Sequence, residues 1–430
     1  MDMGSYEKAM WASDPMGPTR KDRASGAFYP YIPDKLSGTE ISLSMDAARS
    51  CERAAVALSG LDVRSRYVTT AESLSHMLLR SEALSSSRIE GLEMNVRRLL
   101  EVEALNELGV SHRANSVEEE VLGNIEAMRE AMNIGTRSEV MTLDDVLSMH
   151  AALLRHTRLA EYGGALRTTQ NWIGGSWYNP VGARYVPPIA ERVELLMTDL
   201  VSFLETSQLP VVATAAIAHA QLETIHPFVD GNGRTGRALV HAVLRRGGLS
   251  TRVVAPISLV LLALKGQYYE ALESYRFDSN DESSRTFSQT ASSWIEFFCH
   301  AVQLACERAC AYDERMMALR DRWEASVHPR LGSATQQLLD ALPGNPVISV
   351  RSVVRITGKS YPAARAAVRM LEESGILVQT SKNRKSGLYA AREVLDEFTL
   401  YERALATSVG DTRMERPVRR VPQRPRNVSL

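Results

Sequence analysis

The run His226–Arg237 concentrates the groups that a polyphosphate-binding site needs. Its turn, Gly231–Gly233, can direct several backbone N–H groups towards one point, because glycine adopts positive φ without a Cβ clash. An apolar pattern follows immediately, which predicts that a helix begins near Arg234. The free N–H groups and the dipole at a helix N-terminus favour an anion, so the run predicts a phosphate site.

The charged side chains of the run suit the same ligand. Arg234 and Arg237 lie on one side of the predicted first turn, and their forked donors match phosphate oxygens. Asp230 is a carboxylate beside that site, where it would hold Mg²⁺ between phosphates. His226 can take a proton from an attacking hydroxyl at neutral pH. The alternative is an anion-binding surface loop in which the arginines occur by chance. It does not explain why so many positions of one short run carry residues suited to a phosphate site.

The run also matches H-x-F-x-D/E-G-N-G-R-x-x-R, the signature of the Fic family, so the chain resembles a Fic protein. The resemblance implies that AMP is transferred from ATP to a hydroxyl side chain of a target protein, with His226 as the catalytic base. It implies an all-α fold, a Fic helical core with a small β-hairpin flap. The implied ATP site comprises Asp230, which also binds the metal, and Gly231, Asn232, Gly233, Arg234, Thr235, Gly236 and Arg237.

A second short motif precedes this run by more than a hundred residues. Ser86–Gly91 fits S/T-x-x-x-E-G/N, the inhibitory pattern of many Fic proteins, at the end of a predicted helix. The resemblance implies that Glu90, with Ser86 as the other specified side chain, pairs with Arg237 and withholds it from the γ-phosphate. The alternative is an exposed helix end with a solvated glutamate.

Two further segments are expected beside the nucleotide. Residues 163–188 mix aromatic side chains with glycine and proline, which predicts an irregular hairpin. In the family this region is the flap, here including Ile173, Gly174 and Gly175, and its edge can pair with a target segment. Tyr269, and after it Tyr268, would line the adenine side, although plain core packing explains either tyrosine nearly as well.

Composition and patterning divide the chain into five segments. They are a flexible arm (1–43), a helical region with the inhibitory helix (44–115), the Fic domain (116–327), a winged helix-turn-helix domain (333–400) and a disordered basic tail (410–430). In the predicted winged helix, residues 363–371 form the recognition helix and present Arg365 and Arg369 outward, with Arg384 in a basic wing. DNA binding and protein docking are both open for this domain.

The overall composition limits the class of protein. The formal net charge of −1 argues against a globally basic nucleic-acid binder, and 44% hydrophobic residues suffice for several cores. Four cysteines and the absence of a signal-like or membrane-spanning run predict a cytoplasmic protein without membrane contact. The expected partners are target proteins, with a second copy of the chain and DNA as further candidates.

Three other functions remain open from the sequence. The same site could remove AMP from proteins, with Glu90 aligning the water. The chain could be a DNA-binding regulator with a dormant Fic core. Another phosphate-containing donor could replace ATP.

Overall fold

The computed structural model describes residues 4–13, 15–64, 71–109, 115–137, 140–276, 286–380 and 387–406. Helices dominate this part of the chain, so the predicted all-α fold class is confirmed. No helix in it is long and apolar enough to cross a bilayer. The helices are α1 (Met45–Arg64), α2 (Ala71–Ile89), α3 (Val96–Glu107), α4 (Ser116–Arg137), α5 (Leu143–Leu154), α6 (Ala190–Thr206), α7 (Val211–Ile225), α8 (Asn232–Arg246), α9 (Ile257–Ala263), α10 (Lys265–Tyr275), α11 (Phe287–Val327), α12 (Ala334–Ala341), α13 (Val350–Thr357), α14 (Tyr361–Glu373) and α15 (Arg392–Ala406). The strands are β1 (Ser5–Tyr6), β2 (Ala9–Trp11), β3 (Gly26–Phe28), β4 (Tyr31–Ile32), β5 (Val347–Ser349), β6 (Val378–Gln379) and β7 (Leu388–Ala390).

Helices α7 and α8 form the centre of the fold. Every residue from Val212 to Ile225 on α7 is buried, as is the run from Asn232 to Leu244 on α8. A helix that is buried all round needs neighbours on every side, and α7 packs against α1, α6, α8 and α11 while α8 packs against α2, α4, α5 and α7. Trp294 of α11 donates a hydrogen bond of 2.7 Å to the Ala216 carbonyl. The loop between α7 and α8 is therefore fixed at both ends.

The N-terminal arm is more ordered than predicted. The pairs β1–β4 and β2–β3 are antiparallel, and they lie against the segment that precedes α6. Trp11 meets Trp172 edge to face at 5.6 Å, and Ser176 Oγ donates to Asp22 at 2.6 Å. The prediction of a loose arm is wrong for the described residues, because strand pairing and these aromatic contacts hold short, partly buried strands that the Gly/Pro/Ser composition does not reveal.

The predicted flap hairpin is reduced to one β-bridge between Ile173 and Tyr185. Ile173 N donates to Tyr185 O at 2.8 Å and Tyr185 N donates back to Ile173 O at 3.2 Å. Gly174 and Gly175 follow with φ of 77° and 79°, a conformation that favours glycine. They turn the chain immediately after the bridge.

The C-terminal unit contains α12 to α14, a sheet in the order β5-β7-β6, and α15. Three helices followed by the β6–β7 hairpin is the order expected of a winged helix, and that assignment stays a prediction. Ala364, Ala367, Val368 and Leu371 are buried on α14, whereas Arg365 and Arg369 are exposed. The basic wing tip, with Arg384, lies outside the described residues. Sequence analysis missed α15, which leaves the sheet and returns to the helical core.

Candidate active site

Helix α7 ends at His226 in a strained backbone conformation. His226 has φ 50° and ψ 59°, a left-handed geometry that is uncommon outside glycine. Arg167, which is only 3% exposed, holds this corner through hydrogen bonds from Nε to His226 O at 2.8 Å and from Nη2 to Pro188 O at 2.5 Å. The buried arginine thus fixes the direction in which the histidine leaves the helix.

The imidazole of His226 is neutral at physiological pH. Burial, followed by the charges of Arg167 and Arg276, lowers the pKa of His226 to about 4. Its Nδ1 lies 3.9 Å from Glu223 Oε2. A neutral imidazole at a cavity wall can accept a proton, which a charged one cannot.

The loop after His226 is closed by its own side chains. Phe228 is fully buried, and its ring stacks on His150 at a centroid distance of 3.8 Å. Asn232 Oδ1 accepts from Phe228 N at 2.8 Å, and Asn232 Nδ2 donates to Phe228 O at 2.9 Å. Gly231, with φ 80°, caps α8, which begins at Asn232, two residues before the predicted start. The loop therefore presents backbone rather than the Asn232 side chain to a ligand.

Arg234 orients the candidate metal ligand. Its guanidinium, only 2% exposed, donates to Asp230 Oδ2 at 2.8 Å and to Glu120 Oε2 at 3.1 Å. His150 supports the same residue from the backbone side. Gly164 N donates to His150 Nδ1 at 3.1 Å, so Nε2 carries the proton and donates to Asp230 O at 3.0 Å. Arg234 is thus a partner of Asp230 in this state.

Glu90 and Arg237 form an ion pair, as predicted for the two motifs. Arg237 Nη2 lies 2.7 Å from Glu90 Oε1, and Arg237 Nε donates to Ser86 Oγ at 2.9 Å. Burial acts to raise the pKa of Glu90, but the charge and the hydrogen bond of Arg237 outweigh it and hold this pKa below its usual value. A Cβ on Gly233 would lie 2.2 Å from Glu90 Oε1, so only glycine leaves room for the pair.

The two predicted tyrosines have different surroundings. Tyr268 is 1% exposed, and its hydroxyl lies 2.8 Å from Nε2 of the buried His219. Burial lowers the pKa of His219 to about 3, so it is a neutral, hydrogen-bonded core histidine. Tyr269 is half-buried, with its hydroxyl 3.4 Å from Ile89 O. Tyr268 is anchored in the core, and Tyr269 is the more available to a ligand.

These residues line one cavity of about 360 Å³, a size suited to a small ligand. Of the predicted residues, its walls include Glu90, Ile173, His226, Asp230, Gly231, Asn232, Gly233, Arg237, Tyr268 and Tyr269. The lining does not include Ser86, Gly174, Gly175, Arg234, Thr235 or Gly236. Thr235 is fully buried, and a Cβ on Gly236 would lie 2.9 Å from His219 of α7, so both residues face the packed core rather than the cavity.

Comparison with known proteins places this site in a family. Residues 140–244 match the Fic/DOC family, and residues 48–133 match the Fic/DOC family N-terminal region. These two regions of the chain are therefore similar to the Fic/DOC family. The first match contains the whole run His226–Arg237, and the second contains Ser86 and Glu90.

Curated relatives carry the same region within longer chains. The protein adenylyltransferase Fic of Drosophila grimshawi is 33% identical over 188 residues, which are 43% of this chain and 36% of the relative. That of Aedes aegypti is 31% identical over 189 residues, 43% of this chain and 35% of the relative. The chain thus spans little more than a third of these relatives. A solved Fic family protein from Desulfovibrio desulfuricans G20 is 21% identical with a TM-score of 0.49, over 81% of this chain and 97% of that one.

Sequence analysis did not predict Glu223 or Arg276 as charged residues of this cavity. Glu223 lies one turn before His226 on α7, and burial raises its pKa to about 7. The spacing of three residues from the histidine is the signal that could have found it. Arg276 lies with its guanidinium carbon 3.5 Å from the Tyr185 ring centroid, while Tyr185 OH donates to Thr224 O at 2.5 Å. No local pattern brings these three residues together.

Proposed function

We propose that the chain is a protein adenylyltransferase, which transfers AMP from ATP to a Ser, Thr or Tyr hydroxyl of a target protein. The observation that carries this proposal is the neutral His226 on the wall of a cavity that ends at the N-terminus of α8. A base beside an anion site suits attack of a hydroxyl on a phosphate. The names of the Drosophila and Aedes relatives support the same reaction.

The proposed reaction uses the phosphate end of the cavity. The ATP phosphates lie over Gly231–Gly233, whose backbone N–H groups and helix dipole favour them. The target hydroxyl gives its proton to His226 while its oxygen attacks the α-phosphorus. The bond from that phosphorus to the bridging oxygen breaks, and pyrophosphate leaves. Positioning and charge neutralisation carry the reaction, as they do in phosphoryl transfer generally.

Asp230 is the residue that would hold Mg²⁺. Within the described ranges no group of three His, Cys, Asp or Glu side chains could bind a metal alone. Mg²⁺ commonly binds through one or two carboxylates together with substrate phosphates, and the Asp230 carboxylate, fixed by Arg234 at 2.8 Å, fits that donor set. When bound, the ion would neutralise charge on the phosphates.

The resting state is proposed to be autoinhibited. Arg237 is the residue that would bind the γ-phosphate, and it is instead occupied by Glu90 and Ser86. The Arg237 guanidinium is buried and must leave Glu90 before it can bind a phosphate, and a buried charge without a partner is unfavourable. ATP could still bind in this state, but with its α-phosphate misaligned for transfer.

The flap side is proposed to receive the target. Ile173 is 39% exposed beside the cavity, and its bridge to Tyr185 offers an edge for an extended segment. A target strand added there would place a hydroxyl close to His226. The fixed backbone of the flap supplies this positioning.

A second candidate is the reverse hydrolysis, favoured by the second cavity carboxylate. Glu223 and Glu90 both face Gly233, at 3.0 Å and 2.2 Å from the position of its missing Cβ. A carboxylate in that place could align a water molecule against AMP-modified protein.

DNA binding by the exposed Arg365 and Arg369 stays a separate prediction. The test is whether the chain retains duplex DNA at low salt and loses it when both arginines are replaced by alanine.

Labelling by ATP at two positions tests the transferase. The Glu90→Gly variant is incubated with added proteins and with ATP labelled at the α- or at the γ-phosphate. The label incorporated into the variant itself and into the added proteins is then measured. We expect label from α-labelled ATP alone, together with pyrophosphate release. Label from the γ-position would indicate a kinase, and loss of AMP from a modified protein without any gain would favour the hydrolase.

A further inference from the structure

Helix α2 carries the inhibitory glutamate, and it contacts two different parts of the molecule with opposite faces. Glu82, Ser86 and Glu90 recur every four residues and face α8. Arg80 and Arg88 fall on the other side of the helix, because each residue advances about 100° around its axis. Both arginines contact the C-terminal part of the chain, at Gly344 and Glu402.

The contact of Arg88 lies next to the inhibitory residue. Arg88 Nη1 donates to Glu402 Oε1 of α15 at 2.8 Å, and both side chains are about 15% exposed. The remaining donors of the same guanidinium, Nε and Nη2, bond to Met94 O at 3.1 Å and 2.7 Å. Arg88 therefore ties the last turn of α2 to the chain that follows it and to α15, two residues before Glu90.

The opposite face is equally fixed to the catalytic helix. Glu82 Oε1 lies 2.9 Å from His241 Nε2 of α8, and its other oxygen accepts from Ser258 N at 2.7 Å. All these side chains are buried. One face of α2 is thus bonded to α8 and the other, through Arg88, to α15, and a displacement at one face is transmitted to the other because packed interiors do not deform freely.

We propose that Glu402 and Arg88 are positioning residues for Glu90, so that the C-terminal helix α15 sets how firmly the cavity is inhibited. Loss of the Glu402 charge leaves Arg88 without its ion-pair partner in a mostly buried place. The last turn of α2 then loosens, and Glu90 releases Arg237 more often. Movement of α15 would have the same effect. This inference rests on the proposed function, because it concerns access of the nucleotide to Arg237.

The test compares Glu402→Gln with a matched change on the same helix. Glu397 of α15 pairs with Arg315 of α11 at 3.3 Å, rather than with a residue of α2, so Glu397→Gln is the control. Self-labelling from α-labelled ATP is measured for both variants, each with Glu90 present and with Glu90→Gly. We expect Glu402→Gln to raise labelling about five- to tenfold when Glu90 is present, within the usual range of coupling between sites. It should add nothing in the Glu90→Gly background.

Hydrogen exchange of residues 84–92 supplies a readout that does not depend on activity. We expect faster exchange in Glu402→Gln than in wild type or Glu397→Gln. Unchanged exchange in Glu402→Gln overturns the proposal. Two labelling results also overturn it: no gain from Glu402→Gln when Glu90 is present, or an equal gain in the Glu90→Gly background. If Glu90→Gly itself transfers no AMP, the proposed function fails instead, and exchange alone decides the role of Glu402.

Discussion

The two ends of the cavity are built in different ways. The phosphate end comes mainly from one continuous run, and its two guanidinium groups are buried: Arg234 pairs with the partly exposed Asp230 at 2.8 Å, and Arg237 pairs with the partly exposed Glu90 of the preceding motif at 2.7 Å. The opposite end, where the adenine of ATP would lie, is called here the base end. It is assembled from the flap and α10, where Tyr269 is only half-buried and Arg184 pairs with an exposed Glu273 at 2.6 Å. Buried charges respond strongly to the loss of a partner, whereas exposed pairs contribute little.

The comparison therefore predicts a gradient of effects across the cavity. Substitutions at the phosphate end should change the reaction itself or its inhibition. Substitutions at the base end should change the affinity for nucleotide, because contacts made equally in the ground and transition states alter KM alone.

The largest effect is expected for His226→Ala. General-base catalysis contributes about 10²- to 10⁴-fold, so AMP transfer should fall by at least that factor in the Glu90→Gly background. Nucleotide binding, measured by calorimetry, should stay within a few-fold because the phosphate contacts remain. The exposed His156 provides the control His156→Ala, which should label normally. Undiminished labelling by His226→Ala would remove this residue from the mechanism.

Glu90→Gly should give the next largest change, in the opposite direction. Release of Arg237 from an ion pair of ~2–4 kcal/mol would raise AMP transfer about 30- to 1000-fold. The double variant with Arg237→Ala should lose the gain, since the freed guanidinium supplies it. Glu93→Gly, at an exposed neighbouring position, is the control for backbone flexibility. Equal rates for wild type and Glu90→Gly would contradict the autoinhibited state.

The difference between the two ends also explains what the sequence could predict. The run His226–Arg237 is local, so helix-start rules and residue chemistry suffice to interpret it. The pairing of Glu90 with Arg237 was expected only from the family resemblance, because no local rule links positions 147 residues apart. Even within the run, the prediction for Asn232 was incomplete. It was expected only in the ATP site, whereas its side chain also closes the loop by bonding to the backbone of Phe228.

Regions built from distant segments were predicted least well. The sequence did not predict that Arg276 and Glu223 line the cavity, because the residues beside them there come from other parts of the chain. Residues 4–13 and 15–43 pair and pack on the flap region although their composition is typical of a loop. Helix α15 was missed because it begins inside the expected domain, at Arg392, and continues past residue 400, where that domain was expected to end. Contacts of this kind depend on tertiary packing, which local propensity does not encode.

A pH experiment isolates Glu223 at the boundary between the two ends. Burial raises its pKa to about 7, so the folded chain binds this proton more tightly than the unfolded chain does. The resulting stabilisation is complete below about pH 4.5, the unfolded value, and is lost as the pH rises through 7. Glu223→Gln should lack this loss, so its stability relative to wild type should increase by up to about 3 kcal/mol from pH 5 to pH 8.

Urea unfolding of both proteins across this pH range measures the difference. Buried histidines such as His226 and His219 act in the opposite direction, because their lowered pKa values make folding less favourable in acid. They are present in both proteins, so the difference between the two curves isolates the carboxyl. Glu270→Gln, at an exposed position, should give a difference that does not vary with pH. If the stability difference between Glu223→Gln and wild type does not vary between pH 5 and pH 8, Glu223 does not titrate in this range.

The smallest effect is expected at the base end. If Tyr269 covers one face of the base, Tyr269→Ala should raise the KM for ATP about tenfold, since stacking of a base on an aromatic ring is worth ~1–3 kcal/mol. The kcat should change little, and Tyr269→Phe should resemble wild type because the hydroxyl contact at 3.4 Å is long. Tyr268→Phe is the informative control: it removes the 2.8 Å hydrogen bond to His219, so it should lower the free energy of unfolding by about 1 kcal/mol and leave KM unchanged. If Tyr268→Phe alters KM and Tyr269→Ala does not, the base contacts the inner tyrosine, and the contrast between a buried and an exposed end of the cavity disappears.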